Sequence, residues 1–196
     1  MPQANDSILT EPGKCLRVVY HGPGMAGKTA NLEAVARLLD DGQRRLQRLV
    51  PLGGADPMLE FLACDASELG LQSDIRLQLM SVPGKYEFTQ ARRLLVQQAD
   101  AVVFVADSRQ ARLDADILLL DELGFHLSAL QRFPRSLPLV LQYNHADGAS
   151  ALSVEQLDHE LNRHAGPSLQ ALARDGKGVI ETLALVCGID PILPPH

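Results

Sequence analysis

A glycine-rich segment near the start of the chain has the residue types and spacing of a phosphate-binding loop. It runs from Gly22 to Thr29 and matches the pattern G-x-x-x-x-G-K-[ST] at every fixed position. Glycines allow successive backbone N–H groups to point at one anion, and a helix N-terminus beside them adds partial positive charge. In such a loop Lys28 would reach the β and γ phosphates of a nucleotide, and the Thr29 hydroxyl would ligate Mg²⁺.

The segments on either side of this loop favour phosphate binding over a chance glycine turn. The apolar run from Leu16 to His21 predicts a strand before the loop, and the apolar repeat from Leu32 to Leu39 predicts a helix after it. We therefore expect nucleotide contacts from the loop and the first helical turn. These residues are Gly22, Gly24, Met25, Ala26, Gly27, Lys28, Thr29 and Ala30.

A second polar cluster, with the pattern N-x-x-D, follows a later apolar run and could select the base. The carboxylate of Asp147 can accept two hydrogen bonds from the N1–H and N2–H₂ groups of guanine, which adenine does not offer. Asn144 would brace the loop and contact the base edge, whereas the alternative is a turn that these two side chains cap. Farther along the chain, a backbone N–H at Ala173 or Arg174 could contact the base carbonyl.

Strands alternate with helices along the rest of the chain. Residues 58–65 and 74–82 alternate apolar with polar positions and predict a hairpin. Continuous apolar runs at 101–107 and 137–144 are typical of parallel strands buried on both faces. Helical patterns follow at about 111–130, 153–165 and 176–188, the second with Ser153 and Gln156 in capping-box spacing. This order predicts one α/β domain with a mainly parallel sheet, and we interpret the polar stretch before Pro57 as a mobile connector.

Composition excludes several classes of protein. Of 196 residues 46% are apolar and 21% are charged, as in ordinary globular domains, and the net charge of −6 argues against a chain that coats nucleic acid or anionic lipid. Three widely spaced cysteines favour a reducing, cytoplasmic environment, and no apolar run is long enough for a membrane helix.

His159 and His164 are five residues apart on one predicted helix, so we expect exposed surface there and no metal site.

These motifs together resemble the Ras-like small GTPases, and most closely the bacterial MglA-type GTPases of gliding and polarity. The resemblance covers about Leu16 to Val186. It is carried by the strings YHGPGMAGKTANL, SVPGKYEFTQARRLLVQQADAVVFVADS and GKGVIETL. In the second string, Ser81-Val82-Pro83-Gly84 matches the [TS]-V-P-G form of switch II that MglA-type proteins carry.

The resemblance implies a three-layer P-loop NTPase fold, the Ras-like G domain, with one antiparallel hairpin strand in the sheet. This domain would span residues 15–188, between a flexible tail at 1–14 and a Pro-rich tail at 189–196. It also implies GTP/GDP and Mg²⁺ as ligands, with Ser81 holding a metal-bound water, and a Roadblock/LC7-type regulatory partner. The implied role is that of a switch in cell polarity or motility, with downstream effectors.

The sequence departs from the family pattern at the positions that serve hydrolysis. Lys85 stands directly after the switch II glycine, Gly84, where a glutamine usually orients the attacking water, and a charged lysine cannot accept a hydrogen bond from water. Lys85 could contact the γ phosphate or face solvent. No threonine lies between Thr29 and Thr89, and His145 replaces the usual lysine of N-K-x-D.

The switch I region departs in the same direction. Alignment places Ala55 and Asp56 where MglA-type proteins carry an arginine and a threonine. Arg44, Arg45 and Arg48 lie upstream and could supply the missing cation, or be merely solvated. In the switch II helix, Arg92 and Arg93 could meet an acidic partner or be solvated.

The sequence predicts intact nucleotide binding and eroded hydrolysis. It leaves open a GTPase switch with slow, partner-dependent turnover and a pseudo-GTPase scaffold. An ATP-dependent small-molecule kinase is a third class, against which the N-x-x-D pattern argues.

Overall fold

The computed structural model describes residues 15–39, 46–50, 57–131 and 137–191. The strands are β1 Cys15–His21, β2 Gln47–Leu49, β3 Leu59–Asp65, β4 Arg76–Ser81, β5 Ala101–Asp107, β6 Leu139–Asn144 and β7 Ser168–Gln170. The α-helices are α1 Lys28–Leu38, α2 Thr89–Gln98, α3 Leu113–Ala129, α4 Val154–Leu161 and α5 Val179–Cys187.

The strands of the described ranges form one sheet in the order β2-β3-β4-β1-β5-β6-β7. Strands β4, β1, β5, β6 and β7 are parallel, whereas β3 pairs antiparallel with β4 as the predicted hairpin. The predicted α/β fold with a mainly parallel sheet is therefore confirmed.

The prediction of an irregular connector before Pro57 was wrong at Gln47–Leu49, which pairs with β3. All three residues of β2 are exposed, so no buried alternation marks this strand in the sequence.

Helices cover both faces of the sheet because its central strands are apolar on both sides. Every residue of β5 is buried, and in β1 the side chains of Val18 and Val19 enter different cores. Helices α1 and α5 cover one face, with Leu32 and Leu183 fully buried. Helices α2, α3 and α4 cover the other. The three layers direct the carboxyl ends of the parallel strands, and the loops that follow them, to one edge.

The ends of the elements follow the sequence signals. Ser153 caps α4 through the predicted capping box with Gln156. The predicted tail at 1–14 lies outside the described residues, as does 192–196 of the C-terminal tail. Ile189 is buried in the core, and Pro191 forms a β-bridge with Leu71. Of the described helices, none combines the length and the hydrophobicity that a membrane crossing requires.

Candidate nucleotide site

The loop between β1 and α1 has a backbone that requires glycine at two positions. Gly22 has φ 135° and Gly27 has φ 107°. A Cβ at Gly22 would overlap the carbonyl oxygen of Val105, and one at Gly27 would overlap the side-chain amide of Asn144. A Cβ at Gly24, by contrast, would meet no atom within 4 Å. These two glycines therefore allow the loop to pack against β5 and β6, with Met25 exposed at its tip.

Lys28 lies inside this loop with its ammonium group almost fully buried. Its side chain is 6% exposed, and Nζ donates to the carbonyl oxygens of Gly22 at 2.8 Å and Pro23 at 2.6 Å. Burial, together with the nearby Arg92 cation, lowers the pKa of Lys28 to about 7. A buried cation whose hydrogen-bond acceptors are neutral carbonyls is a site that an anion would stabilise. Thr29 and Ala30 follow in the first turn of α1.

Asn144, at the end of β6, joins three segments of the predicted site. Its side-chain amide donates to the carbonyl oxygen of Ala26 at 2.7 Å, and its side-chain oxygen accepts the backbone N–H of Ala173 at 3.0 Å. The predicted bracing role of Asn144 therefore has a specific geometry. Arg174 follows in the same 3-10 turn, and its carbonyl oxygen accepts a hydrogen bond from Arg37.

The residues after Asn144 continue this contact with the loop. His145 has φ 61°, and its Nε2 lies 3.1 Å from the carbonyl oxygen of Met25. The side chain thus reaches the tip of the phosphate loop from the position where the family carries lysine. Asp147 lies two residues farther along, exposed in the turn that follows β6. Its carboxylate is accessible to a ligand seated against this edge.

The predicted metal position at Thr29 has a carboxylate beside it that the sequence analysis missed. The Thr29 hydroxyl donates to Oε2 of Glu60 at 2.6 Å, and Oε1 of Glu60 accepts from Arg48 at 3.1 Å. Glu60 is 4% exposed and lies opposite Ser81 in the pairing of β3 with β4. The signal was a charged residue on the face of β3 whose other members, Leu62 and Cys64, are buried.

These oxygens fit a hard divalent cation. Mg²⁺ prefers carboxylate, hydroxyl and water oxygens, and Glu60 offers a buried carboxylate within hydrogen-bond distance of Thr29. Ser81 is itself 2% exposed at the end of β4, on the neighbouring strand. The donor set around Thr29 is therefore consistent with magnesium.

Switch II lies directly against the phosphate loop. A Cβ at Gly84 would overlap backbone atoms of Pro23 and Gly24, so only glycine permits this approach. Lys85 is exposed, whereas its carbonyl oxygen accepts a hydrogen bond from Nη1 of Arg92 at 2.7 Å. The same Nη1 donates to the carbonyl oxygen of Pro83 at 2.7 Å. Arg92 thus fixes the backbone on both sides of Gly84.

The expectation that Arg92 is solvated or meets an acidic partner protein was wrong. Its side chain is 2% exposed, and Nε and Nη2 donate to the two carboxylate oxygens of Glu122 at 2.6 and 2.8 Å. The acidic group that it meets belongs to α3 of the same chain. The sequence of α2 contains Arg92 and Arg93 side by side, and no local signal shows which of the two is buried.

The structure also locates the arginines that could compensate for the hydrolytic losses. Arg48 pairs with Glu60 and with Glu33 at 2.6 Å. Arg112, before α3, donates to the carbonyl oxygen of Gly24 at 2.7 Å and so reaches the phosphate loop from the other side. Four residues of the switch I argument lie outside the described ranges: Arg44, Arg45, Ala55 and Asp56.

The sequence and the fold are similar to those of known proteins. The chain is 33% identical over 172 residues to the mutual gliding-motility protein MglA of Myxococcus xanthus (strain DK1622), covering 87% of each chain. A structure of the Arl6 BBS3 small GTPase from Trypanosoma brucei, with the bound nucleotide analogue GppNp, superposes with a TM-score of 0.64 and 19% identity. It covers 88% of this chain and 95% of that one, which supports the fold. No family model matches the chain. The extent and identity of the match to MglA show that the chain belongs to the MglA-type family of Ras-like small GTPases.

Proposed function

We propose that the protein binds GTP and GDP at the edge formed by the phosphate loop, Asn144 and Ala173, and acts as a molecular switch. The observation that carries this proposal is the pair of hydrogen bonds by which Asn144 joins Ala26 to Ala173. This single side chain connects the segment that would hold the phosphates to the segment that would contact the base. Lys28 supplies a buried cation at the centre of the phosphate loop.

Asp147 selects guanine in this proposal. Its exposed carboxylate follows the strand that ends in Asn144, and His145 contacts the tip of the phosphate loop. Replacing Asp147 with Asn exchanges an acceptor for a donor, which should shift preference from guanine to xanthine nucleotides. A competition assay of Asp147→Asn against both nucleotides measures this shift. An unchanged rejection of xanthosine diphosphate would exclude Asp147 as the residue that selects the base.

Thr29, Ser81 and Glu60 would hold Mg²⁺ in this site. The ion would neutralise charge on the β and γ phosphates. The carboxylate oxygens of Glu60 accept hydrogen bonds from Thr29 and Arg48. Either hydrogen bond could be replaced by a bond to the ion. The hydrogen bond to Glu60 keeps the Thr29 hydroxyl oriented toward β3, whose residue Glu60 pairs with Ser81 of β4.

Hydrolysis is slow in this proposal because the chain lacks the usual means of orienting water. Lys85 occupies the glutamine position and is exposed, so a protonated amine replaces an acceptor of hydrogen bonds. Arg112 is a positioning residue, since its contact with Gly24 holds the loop where γ-phosphate charge would develop. A partner could supply the missing acceptor of hydrogen bonds. The chain also has Ala55 at the position where the family carries an arginine, and an arginine finger contributes about 10³- to 10⁵-fold to the rate in related enzymes.

The cellular role in this proposal is control of polarity or motility. The support is the similarity to a protein named for gliding motility. A Roadblock/LC7-type protein is the proposed regulator, and effectors would read the conformation of switch II. Tyr86 and Leu94 expose apolar surface there, 92% and 59% respectively, which a partner could cover.

A pseudo-GTPase scaffold is the second candidate function. Two observations favour it. Lys85 replaces the catalytic glutamine, and the Thr29 hydroxyl, which would ligate Mg²⁺, donates a hydrogen bond to Glu60. In this case the chain would hold one nucleotide state, or none, and would serve to bind partner proteins.

One experiment separates these two functions. The purified protein is denatured, the released nucleotide is identified by chromatography, and added GTP is followed over hours with Mg²⁺. Copurified GDP with measurable turnover supports the switch. Intact GTP, or no nucleotide, supports the scaffold. ATP as the retained nucleotide would contradict both.

A further inference from the structure

Behind switch II, two histidines and a glutamate converge in the interior of the protein. His21 ends β1, whereas Glu122 and His126 lie one turn apart on the same face of α3. One potential ligand atom from each of the three side chains lies within 4.8 Å of the other two. His21 is 1% exposed and His126 is 3% exposed. The group is separate from the oxygen ligands around Thr29, which belong to other side chains.

Three imidazole nitrogens of this group lack hydrogen-bond partners among the described residues. Neither Nδ1 nor Nε2 of His21 has a hydrogen-bond partner within the described ranges, and Nδ1 of His126 has none there either. The His21 ring stacks on Phe104, with centroids 5.9 Å apart, and its Nε2 lies 3.7 Å from Oε1 of Glu122. Buried polar atoms without partners destabilise the folded chain. A ligand that bonds to these nitrogens and to the neighbouring carboxylate would therefore stabilise it.

We propose that His21, Glu122 and His126 bind one divalent transition-metal ion of the Zn²⁺ type. Imidazole nitrogen with one carboxylate oxygen is the donor set that such ions prefer, whereas Mg²⁺ prefers oxygen alone. In a zinc site with bonds of about 2.0–2.2 Å, the ligand atoms lie closer together than 4.8 Å. The three side chains would therefore rotate toward the ion when it binds. Water would complete the coordination.

Arg92 connects this metal site to switch II. It donates to both oxygens of Glu122 and, through Nη1, to the carbonyl oxygens of Pro83 and Lys85. A carboxylate has about four acceptor positions, so Glu122 can ligate an ion and still accept from Arg92. Arg92 is then an outer-shell partner that orients a metal ligand. A bound ion would stabilise the carboxylate that holds switch II against α3.

The test uses the full chain, stripped of metal by dialysis against a chelator and supplied with GDP and excess Mg²⁺. Titration with Co²⁺ should give visible d–d absorption typical of tetrahedral coordination and saturate at one ion per chain. His126→Gln should abolish this spectrum and weaken Zn²⁺ binding by more than about 100-fold, since loss of even an outer-shell partner costs 10–100-fold. His159→Gln is the matched control, because that histidine is exposed and 83% of its side chain is accessible.

Three outcomes would overturn the proposal. The first is no Co²⁺ spectrum in the parent chain, which would mean that Arg92 alone neutralises Glu122. The second is an unchanged spectrum in His126→Gln. The third is loss of the spectrum in Cys15→Ser, which would place the ion at the exposed thiol. His21→Phe keeps the ring stacked on Phe104 and gives a second test if His126→Gln does not fold. Circular dichroism establishes folding, and Zn²⁺ should raise the Tm of the parent and of His159→Gln only.

Discussion

The two sides of the nucleotide site are held in place by different forces. On the base side, Asn144 joins the phosphate loop to Ala173 through neutral amide hydrogen bonds, and Gly27 packs directly against that amide. On the switch side, positions are set by charged groups, in the chain from Thr29 through Glu60 to Arg48 and in the pair of Arg92 with Glu122.

This difference determines how each side responds to a ligand. Neutral, buried hydrogen bonds and steric contacts do not depend on phosphate charge or on salt. Arg48 is 42% exposed, so its ion pairs are screened and can be exchanged at small cost. We infer that the base side is formed before nucleotide binds, whereas the switch side can rearrange around the γ phosphate and the metal.

The largest expected effect comes from removing the buried cation of the phosphate loop, which lies between the two sides in sequence and donates to Gly22 and Pro23. Lys28→Ala should weaken GDP binding by about 1,000-fold, because charge-assisted hydrogen bonds contribute about 1.5–3 kcal/mol each and Lys28 would make two. Isothermal titration calorimetry of nucleotide-free protein measures the change. Arg163→Ala is the control, since this exposed residue pairs with Asp121 outside the site. GDP affinity equal to that of the parent chain would refute the phosphate-loop assignment.

The second prediction concerns two carboxylates of α3. Burial raises the pKa of Asp116 to about 7, whereas hydrogen bonds from Arg92 outweigh burial and hold the pKa of Glu122 below its ordinary value. Asp116 is fully buried, and its carboxylate oxygens accept the backbone N–H of Asp107 at 3.1 and 3.2 Å. Among the described residues it has no ion pair like that of Glu122 with Arg92, so the Asp116 carboxyl resists ionisation and that of Glu122 does not.

The sign of the resulting pH effect follows from proton binding. Between about pH 4 and 7 the folded state holds the Asp116 proton and the unfolded state does not, so stability falls as pH rises, by at most about 1.4 kcal/mol per unit. Asp116→Asn should remove this loss and raise the free energy of unfolding by up to about 4 kcal/mol at pH 8, with little change at pH 4. Urea unfolding of both proteins at each pH measures it. A variant less stable than the parent at pH 8 would show that the ionised carboxylate is stabilising.

The third prediction separates the bracing role of Asn144 from a direct role in binding. Asn144→Ala should leave the Ala26 carbonyl and the Ala173 N–H without their partner, which costs about 1–3 kcal/mol. Since this geometry is needed for binding, GDP affinity should fall by about 10-fold, and guanine should still be preferred over xanthine. Calorimetry with both nucleotides measures this. Lost base preference would show instead that Asn144 itself reads the base.

The sequence predicted the elements of this fold because their signals are local. The run that became β5 is apolar up to Asp107, the run that became β6 begins with apolar residues, and the capping box joins Ser153 to Gln156, three residues along the chain. It could not predict that Glu60 meets Thr29, or that His21 meets His126, because these contacts join residues that are far apart in the chain. Glu122 and His126 at i, i+4 spacing were visible, but the third ligand depends on the parallel pairing of β1 with β5.

The smallest expected effect tests whether the switch side lacks only one residue. Lys85→Gln restores an acceptor beside Gly84, while Arg92 still holds the backbone carbonyl of residue 85 in place. If the missing glutamine alone limits turnover, GTP hydrolysis should rise by about 10-fold, which is less than the roughly 10²- to 10⁴-fold that positioned acids and bases contribute, because a glutamine orients the water without taking its proton. Single-turnover hydrolysis with Mg²⁺ measures the rate, and Gln90→Ala tests whether the nearby exposed glutamine orients the water instead.

A Lys85→Gln variant no faster than the parent would locate the deficit in switch I. In that case the charged contacts of Glu60, and the absence of a threonine between Thr29 and Thr89, set the rate.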